Sequence, residues 1–317
     1  MKLSVILCTH SPERTRFART LEGLRLQTLD PGCWELILVD NASRSPVAPP
    51  AEKLPRCTCR LVREPRLGLT AARRAGVLQA AGEILVFVDD DNVLAPAYLE
   101  EVLTAFSRLP AVGALGGKST GLYETAPQPW HCEFLPLLAV RDLGTREQVF
   151  VPAAPGTVSH YPECAPIGAG MALRRAALDR WLSADRTGIP DRRGLELSSG
   201  GDNDIVLHAL TAGWGVAYVP ALTLDHLIPG SRIRTEYLGR LNRGIQCSWT
   251  QVLARHGLRP WEAIAPWTLP FRKARAWFTY RAWSDRSARI RWQGACGHFE
   301  GLAAVHAWER GQKEAAT

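Results

Sequence analysis

Short, unbroken apolar runs separated by polar or Gly- and Pro-bearing stretches organise the first part of the chain. Leu3 to Cys8 is such a run and predicts a strand. It stops at THSPERTR, where Pro12 and its polar neighbours break the strand and Phe17, Leu21 and Leu24 open a helical period. Glu35 to Val39 predicts a second buried strand ending in DNAS; SPVAPPAEKLP is a proline-rich loop and CRLVREP a third short strand. Gly68 opens LTAARRAGVLQAAG, an Ala-rich helix closed by Gly82, and ILVFVDDDN is the next strand. This alternation predicts an α/β fold with a parallel sheet and helices on both faces. Ligands of such sheets sit at the carboxyl ends of the strands. Thr9, Asp40 and the Asp89 cluster all fall there.

Beyond Pro110 the rhythm loosens. AVGALGGKS predicts a strand and turn, and Gly121 to Val158 is rich in Pro and aromatics without a clear period. PIGAGMALRRAALDRW reads as a strand entering a helix, GWGVAYVPALTLDH as a late strand, and IPGSRIRTEYLGRLNRG as the start of a helical tail. Two parts follow: residues 1–230 as the α/β domain and 231–317 as a basic, Trp-rich helical region.

Charge sharpens that division. The 317 residues carry a net charge of +7, yet from Leu227 onward there are 15 Lys and Arg against 6 Asp and Glu, a net +9, leaving 23 against 25, or −2, for the rest. Seven of the eleven Trp lie in the same stretch. FRKARAWFTYRAWSDRSARIRW fits helices at a membrane surface, with Arg at anionic headgroups and Trp at the interface; it also fits a helical subdomain packing its Trp inward, or a cover over an acceptor site. No nucleic-acid module is recognisable, so no nucleic-acid partner is expected. The opening MKLSVILCTH is too short an apolar run for a signal peptide, and no window reaches the about 18 apolar residues of a membrane span. A soluble or peripheral protein is expected. The eight Cys are scattered without zinc-finger spacing, and reduced thiols in a cytoplasmic protein are expected.

The chemistry concentrates at VDDDN. Three adjacent carboxylates at the end of a buried strand repel one another and cost desolvation. A helix-capping turn before Pro96 accounts for one of them. A calcium loop fails, because Val93 stands at the fifth position and no Gly at the sixth. A magnesium or manganese ion held by one or two carboxylates, with substrate phosphates completing its shell, accounts for the charge.

In this order and position the motifs resemble a bacterial-type family 2 glycosyltransferase of the GT-A fold, over residues 3 to 240. The resemblance implies a mostly parallel central sheet flanked by helices, with a helical C-terminal tail. VILCTHSPERTR looks like the opening strand and turn that meet the nucleotide, which places Thr9 and Arg14 there, although His10 and Ser11 replace a commoner Tyr-Asn pair. LILVDNAS resembles the second strand, whose terminal Asp bonds base or ribose, a role falling on Asp40 with Asn41 beside it. An Asx turn is the alternative. An Asp acceptor suits the ring N–H of a uracil or thymine, and a UDP-linked donor is expected.

RLGLTAARRAG is similar to the family's G-L-x-x-A-R-N-x-G, with Gly68 admitting the ligand close to the backbone and Arg73 supporting the diphosphate or ordering Asp89. Arg74 stands where Asn is usual. In VDDDN the D-x-D pair maps to Asp89, at ribose or metal, and Asp91, on the metal. Asp90 completes the donor-side cluster or caps its turn. SGGDNDIVLHAL looks like the family's G-E-D-x-[ED] segment and puts the general base at Asp202, with Asp204 in reserve, although Gly201 replaces the Glu. His226 holds the place of a third metal ligand, and Gly168 and Gly170 line the donor sugar.

The implied activity is a metal-dependent (Mn or Mg), inverting transfer of a sugar to a saccharide or lipid-linked hydroxyl; the charge and Trp of the tail add the expectation of a cytoplasmic protein that meets the inner face of the membrane to reach such an acceptor. A nucleotidyltransferase is the competing enzyme reading, but THSPERTR lacks the Gly-rich phosphate loop such an enzyme needs. A non-catalytic nucleotide-sugar-binding or membrane scaffold of the same fold is the other alternative.

Overall fold

The computed structural model describes residues 2–49, 51–184 and 197–316. Two compact units emerge: Met1–Glu124 with Ala139–Asp185 and Ile205–Ile228, and Thr125–Leu138 with Arg186–Asp204 and Pro229–Thr317.

The first unit is built on a nine-stranded sheet. Its strands are β1 (Leu3–Thr9), β2 (Trp34–Asn41), β3 (Thr58–Glu64), β4 (Ile84–Asp89), β5 (Asn92–Leu94), β6 (Val112–Tyr123), β7 (Gln148–Phe150), β8 (Ala172–Arg174) and β9 (Gly215–Ile228). Their order is β3-β2-β1-β4-β8-β6-β9-β5, with β7 also on β9. The parallel layer expected from the strand–helix rhythm is β3-β2-β1-β4. Beyond β4 the sheet is mixed, because β8 runs antiparallel to both its neighbours while β6 and β9 are parallel. Between β6 and β8 the proline- and aromatic-rich chain forms a 3-10 helix (Pro129–Leu138) and β7 but, among the described residues, no α-helical crossover, so the return to the sheet is not bound to parallel pairing.

Every residue of β1 and β2 is buried, as strands covered on both faces require. Leu3, Val5 and Leu7 point into the main core with Phe17, Leu21 and Leu24 of α1 (Arg14–Arg25). On the opposite face α2 (Leu69–Gln79) lies so close that a Cβ on Gly76 would stand 2.4 Å from the Ile6 side chain. Tyr98, Leu99, Val102, Ala105 and Phe106 are the buried stripe of α3 (Tyr98–Arg108). α4 (Asp179–Ser183) follows β8, and α5 (Gly201–Thr211) precedes β9.

At the amino-terminal end of the sheet a carboxylate is wholly enclosed. Glu35 takes hydrogen bonds from the Ser4 hydroxyl (2.7 Å) and the Ala81 N–H (2.6 Å), and pairs with Arg60 at 2.6 Å. Glu35→Ala is expected to lower unfolding stability by about 2–3 kcal/mol, because the buried Ser4 hydroxyl and the Arg60 guanidinium lose their acceptor. Urea denaturation checks this. An unchanged midpoint would show the network to be dispensable.

The second unit is helical: α6 (Thr235–Arg255), α7 (Leu269–Thr279) and α8 (Arg286–Ala316). Gly294, Gly297 and Gly301 of α8 face α6. A Cβ at Gly297 would fall on the Arg243 carbonyl and one at Gly301 on the Thr250 hydroxyl. Small residues at that spacing let the two backbones approach closely. Glu300 ties the group together, accepting from Arg243 Nε at 2.8 Å and Lys273 Nζ at 2.5 Å.

Candidate functional site

Strand register builds the candidate site. Thr9 stands opposite Asp40, and Cys8 opposite Asp89, so the carboxyl ends of β1, β2 and β4 finish at one edge of the sheet. The chain then turns through Asp90 and Asp91 into β5. β5 pairs antiparallel with β9, setting Asn92 opposite His226, and the Leu227 N–H donates to the Asp91 carbonyl at 2.8 Å. This pairing brings His226 Nε2 to 3.4 Å from Asp91 Oδ1, with both side chains buried. Asn92, fully buried, donates from Nδ2 to Asp91 Oδ1 at 3.2 Å.

The three carboxylates diverge. Asp90 Oδ2 accepts from the Thr9 hydroxyl, which ties the ends of β1 and β4 together. Asp89 is half-buried, and its Oδ1 lies 3.5 Å from Nη2 of Arg73. Arg73 is only 2% exposed and lies over the Phe87 ring at 5.1 Å. A guanidinium so enclosed offsets part of the local negative charge. Beneath the cluster the Cys8 thiol is pushed up to about 12, by burial foremost and also by Asp89 and Asp90, against the pull of Arg73. Burial thus favours its neutral form.

Asp40 and Asn41 are engaged by the protein itself. The Asp40 carboxylate accepts from the N–H groups of Ser43 (3.2 Å) and Val47 (3.3 Å) and from Arg63 Nη1 (3.3 Å). Asn41 donates to the carbonyls of Glu64 (3.2 Å) and Arg66 (2.7 Å) and accepts from the Gly68 N–H at 2.9 Å. It thereby fixes the entry to α2, where Gly68 adopts φ +148°, a conformation that disfavours any side chain. Thr9, Asp40, Asn41, Gly68 and Arg73 therefore belong to one connected edge. Arg14 is exposed in the first turn of α1, which Glu13 caps by accepting from the Thr15 and Arg16 N–H groups.

Gly170 has φ +72°, and a Cβ there would meet the Tyr98 hydroxyl at 2.5 Å and Leu224 at 2.6 Å. Protein packing already requires glycine at this position. Gly168 is buried, and its carbonyl receives the Met171 N–H at 3.4 Å. Arg74, in place of the more usual Asn, donates to the Leu182 carbonyl at 2.5 Å.

Two residues beside this edge escaped the sequence reading, Arg63 and Ser43, and His10, read there only as a replacement for a commoner Tyr, joins them. His10 Nδ1 lies 2.7 Å from the Asn41 carbonyl, and Ser43 Oγ accepts from the Ser11 N–H at 2.8 Å. The available signal for Arg63 was register, since β3 sets it directly opposite Asp40.

Asp202 lies in the second unit, in the first turn of α5, where a carboxylate suits the helix dipole. The approach to that turn rests on α6. A Cβ on Gly244 would stand 2.4 Å from the Leu197 carbonyl, and the Ser199 N–H donates to Ser248 Oγ at 3.3 Å. Asp204, the reserve candidate, is buried and paired at 2.9 Å with His256 Nε2.

A parallel layer extended by a mixed one, with a carboxylate turn at the strand ends and a helical C-terminal region, is an α/β fold of the GT-A type. Comparison with known proteins agrees. The family model for glycosyl transferase family 2 matches residues 4–181, more than half of the chain, and the chain belongs to that family. The uncharacterized glycosyltransferase YwdF of Bacillus subtilis is 34% identical over 104 residues, 32% of this chain and 37% of its own length. A glucosyl-dolichyl phosphate glucuronosyltransferase of Haloferax volcanii is 28% identical over 121 residues, 37% of this chain and 38% of its own. The match thus spans little more than a third of either relative. Among solved structures, S. aureus TarS 1-349 in complex with UDP-GlcNAc aligns with a TM-score of 0.50 at 15% identity, over 98% of this chain and 92% of that one. That likeness supports the fold.

Proposed function

We propose that this chain is a glycosyltransferase that moves a sugar from a nucleoside diphosphate, UDP in the first instance, to a hydroxyl of a saccharide or lipid-linked acceptor, with inversion and with the help of Mn²⁺ or Mg²⁺. The juxtaposition of Asp91 and His226 at the carboxyl edge of the parallel strands, in a member of this family, carries the proposal. TarS, a neighbour in fold, is known in complex with UDP and with UDP-GlcNAc.

The residues suit the ion. Asp91 Oδ1 and His226 Nε2 are 3.4 Å apart, close to the about 3 Å that separates adjacent ligands of an octahedral ion with bonds near 2.1 Å. Asp91 and His226 would hold it, with Asp89 either joining them or, through Arg73, turned to the ribose or diphosphate. Bound there, the ion supplies Lewis-acid stabilisation of the departing diphosphate. Thr9, Arg14, Asp40, Asn41 and Gly68 form or support the nucleotide end, Asp90 fastens Thr9, and Gly168 and Gly170 shape the sugar end.

Asp202 takes the proton of the acceptor hydroxyl as its oxygen bonds the anomeric carbon. The bond from that carbon to the diphosphate oxygen breaks in the same in-line step, and the nucleoside diphosphate leaves. In this reading residues 1–230 bind the donor, and 231–317 support the base and meet the inner face of the cytoplasmic membrane. No helix among the described residues is long and apolar enough to cross a membrane.

Thermal-shift measurement against UDP, GDP, dTDP and CMP, each with and without Mn²⁺, tests the proposal. UDP with Mn²⁺ at 100 times its Kd is expected to add about 2.7 kcal/mol to stability, which is several degrees in Tm. No shift with any nucleotide would leave the carboxylates as a turn and favour a scaffold.

A further inference from the structure

Helix α7 carries large apolar side chains on the wrong face for a helix that only packs against its neighbours. Phe271 and Phe278 are 71% and 68% exposed and, with the exposed Ala274 between them at intervals of three and four residues, share one side of the helix, while Trp267, 73% exposed, lies in the short 3-10 turn just before it. Trp283 and Tyr280 continue the exposed aromatic surface past its end. The packed side is separately accounted for. Ala276 is buried, Trp277 meets Trp292 edge to face at 4.8 Å, and Trp292 Nε1 donates to the Lys273 carbonyl at 3.1 Å. Lys273 is held by Glu300, whereas Arg272 and Arg275 on α7 and Arg281 and Arg286 after it are exposed, with Asp285 the one acid between Trp267 and Arg286.

We propose that the Phe271–Phe278 face of α7, with Trp267 just before the helix and the nearby arginines, docks this chain on an anionic phospholipid bilayer. The proposal deepens the membrane contact included in the function above and rests on that part alone, not on the transferase reading. An amphipathic helix in the interface buries aromatic side chains at the boundary of headgroups and acyl chains while cations meet the anionic surface. Here the aromatic row and the arginines occupy the same exposed segment, as that geometry requires. A second copy of the chain is a poorer occupant, since a two-fold contact would set one arginine cluster against another. A nucleic acid would engage the arginines and leave Phe271 and Phe278 in water.

Flotation of the intact chain with vesicles of phosphatidylcholine mixed with phosphatidylglycerol, and of phosphatidylcholine alone, tests this. The chain is expected to float with the anionic vesicles at low salt and to be released by added salt. Phe271→Ser with Phe278→Ser, both at exposed positions, is expected to weaken partitioning at least about tenfold. Arg272→Ser with Arg275→Ser is expected to weaken it about twentyfold. No flotation at low salt, or flotation indifferent to the phenylalanine pair, overturns the proposal. So does a concentration-dependent dimer in sedimentation that the phenylalanine pair abolishes. The UDP-induced thermal shift, measured on the same samples, separates the two readings. A retained shift without flotation removes only the lipid contact, and flotation without a shift removes only the donor site.

Discussion

Asp91→Asn is expected to lower kcat/KM by about 10³-fold or more while leaving the chain folded. The substitution keeps the shape of the side chain and removes its charge. The backbone bond that holds the turn to β9, from the Leu227 N–H to the Asp91 carbonyl, does not involve the side chain. What is lost is the carboxylate beside His226, and with it the anionic half of the proposed ion site. The Mn²⁺-dependent part of the UDP thermal shift should vanish with the activity. A variant that keeps both would show that Asp91 holds no ion and that its pairing with His226 is structural.

Asp202→Asn should divide binding from turnover. An amide cannot accept the acceptor's proton, so kcat is expected to fall about 10²–10⁴-fold. The donor-side carboxylates lie in the other compact unit and are untouched, so the UDP shift with Mn²⁺ should persist. Glycosyl transfer assayed with a retained thermal shift gives the decisive pair of readings. Undiminished turnover would remove Asp202 from the mechanism. Asp204 would be a demanding replacement, because it is already bound to His256. Loss of the shift along with the activity would mean that the substitution damaged the fold instead.

The parallel layer was legible in the sequence because β1, β2 and β4 are covered on both faces and so read as continuous apolar runs. β5, β7 and β8 are three residues each, too short for any period to register, and their pairing is decided by distant partners. The carboxylate cluster was legible because ionisable groups seldom follow a buried strand without a reason. The division of labour inside it was not. Only the fold shows Asp90 bound to Thr9, Asp89 facing Arg73 and Asp91 facing His226. Asp40 and Asn41 stood out as strand-end polar residues, but apart from the Ser43 and Val47 N–H groups that follow Asp40, the partners that occupy them, Arg63, Glu64, Arg66 and Gly68, sit on another strand and its loop. In the basic C-terminal region, composition could not sort inward from outward tryptophans. The fold does, packing Trp277 on Trp292 and leaving Trp267 in solvent.

The rest on α6 of residues 197–199, the approach to α5, has a consequence for the order in which the parts of the molecule appear during synthesis. Strands β1 to β4 leave the ribosome as one contiguous stretch, and domains form from the N-terminus onward as the chain emerges. The turn that carries Asp202 emerges later, and its supports, Gly244, Ser248 and the His256 that binds Asp204, later still. A nascent chain therefore holds its strand-end carboxylates well before it can fix the turn that carries its candidate base, and that turn is braced only from the C-terminal side.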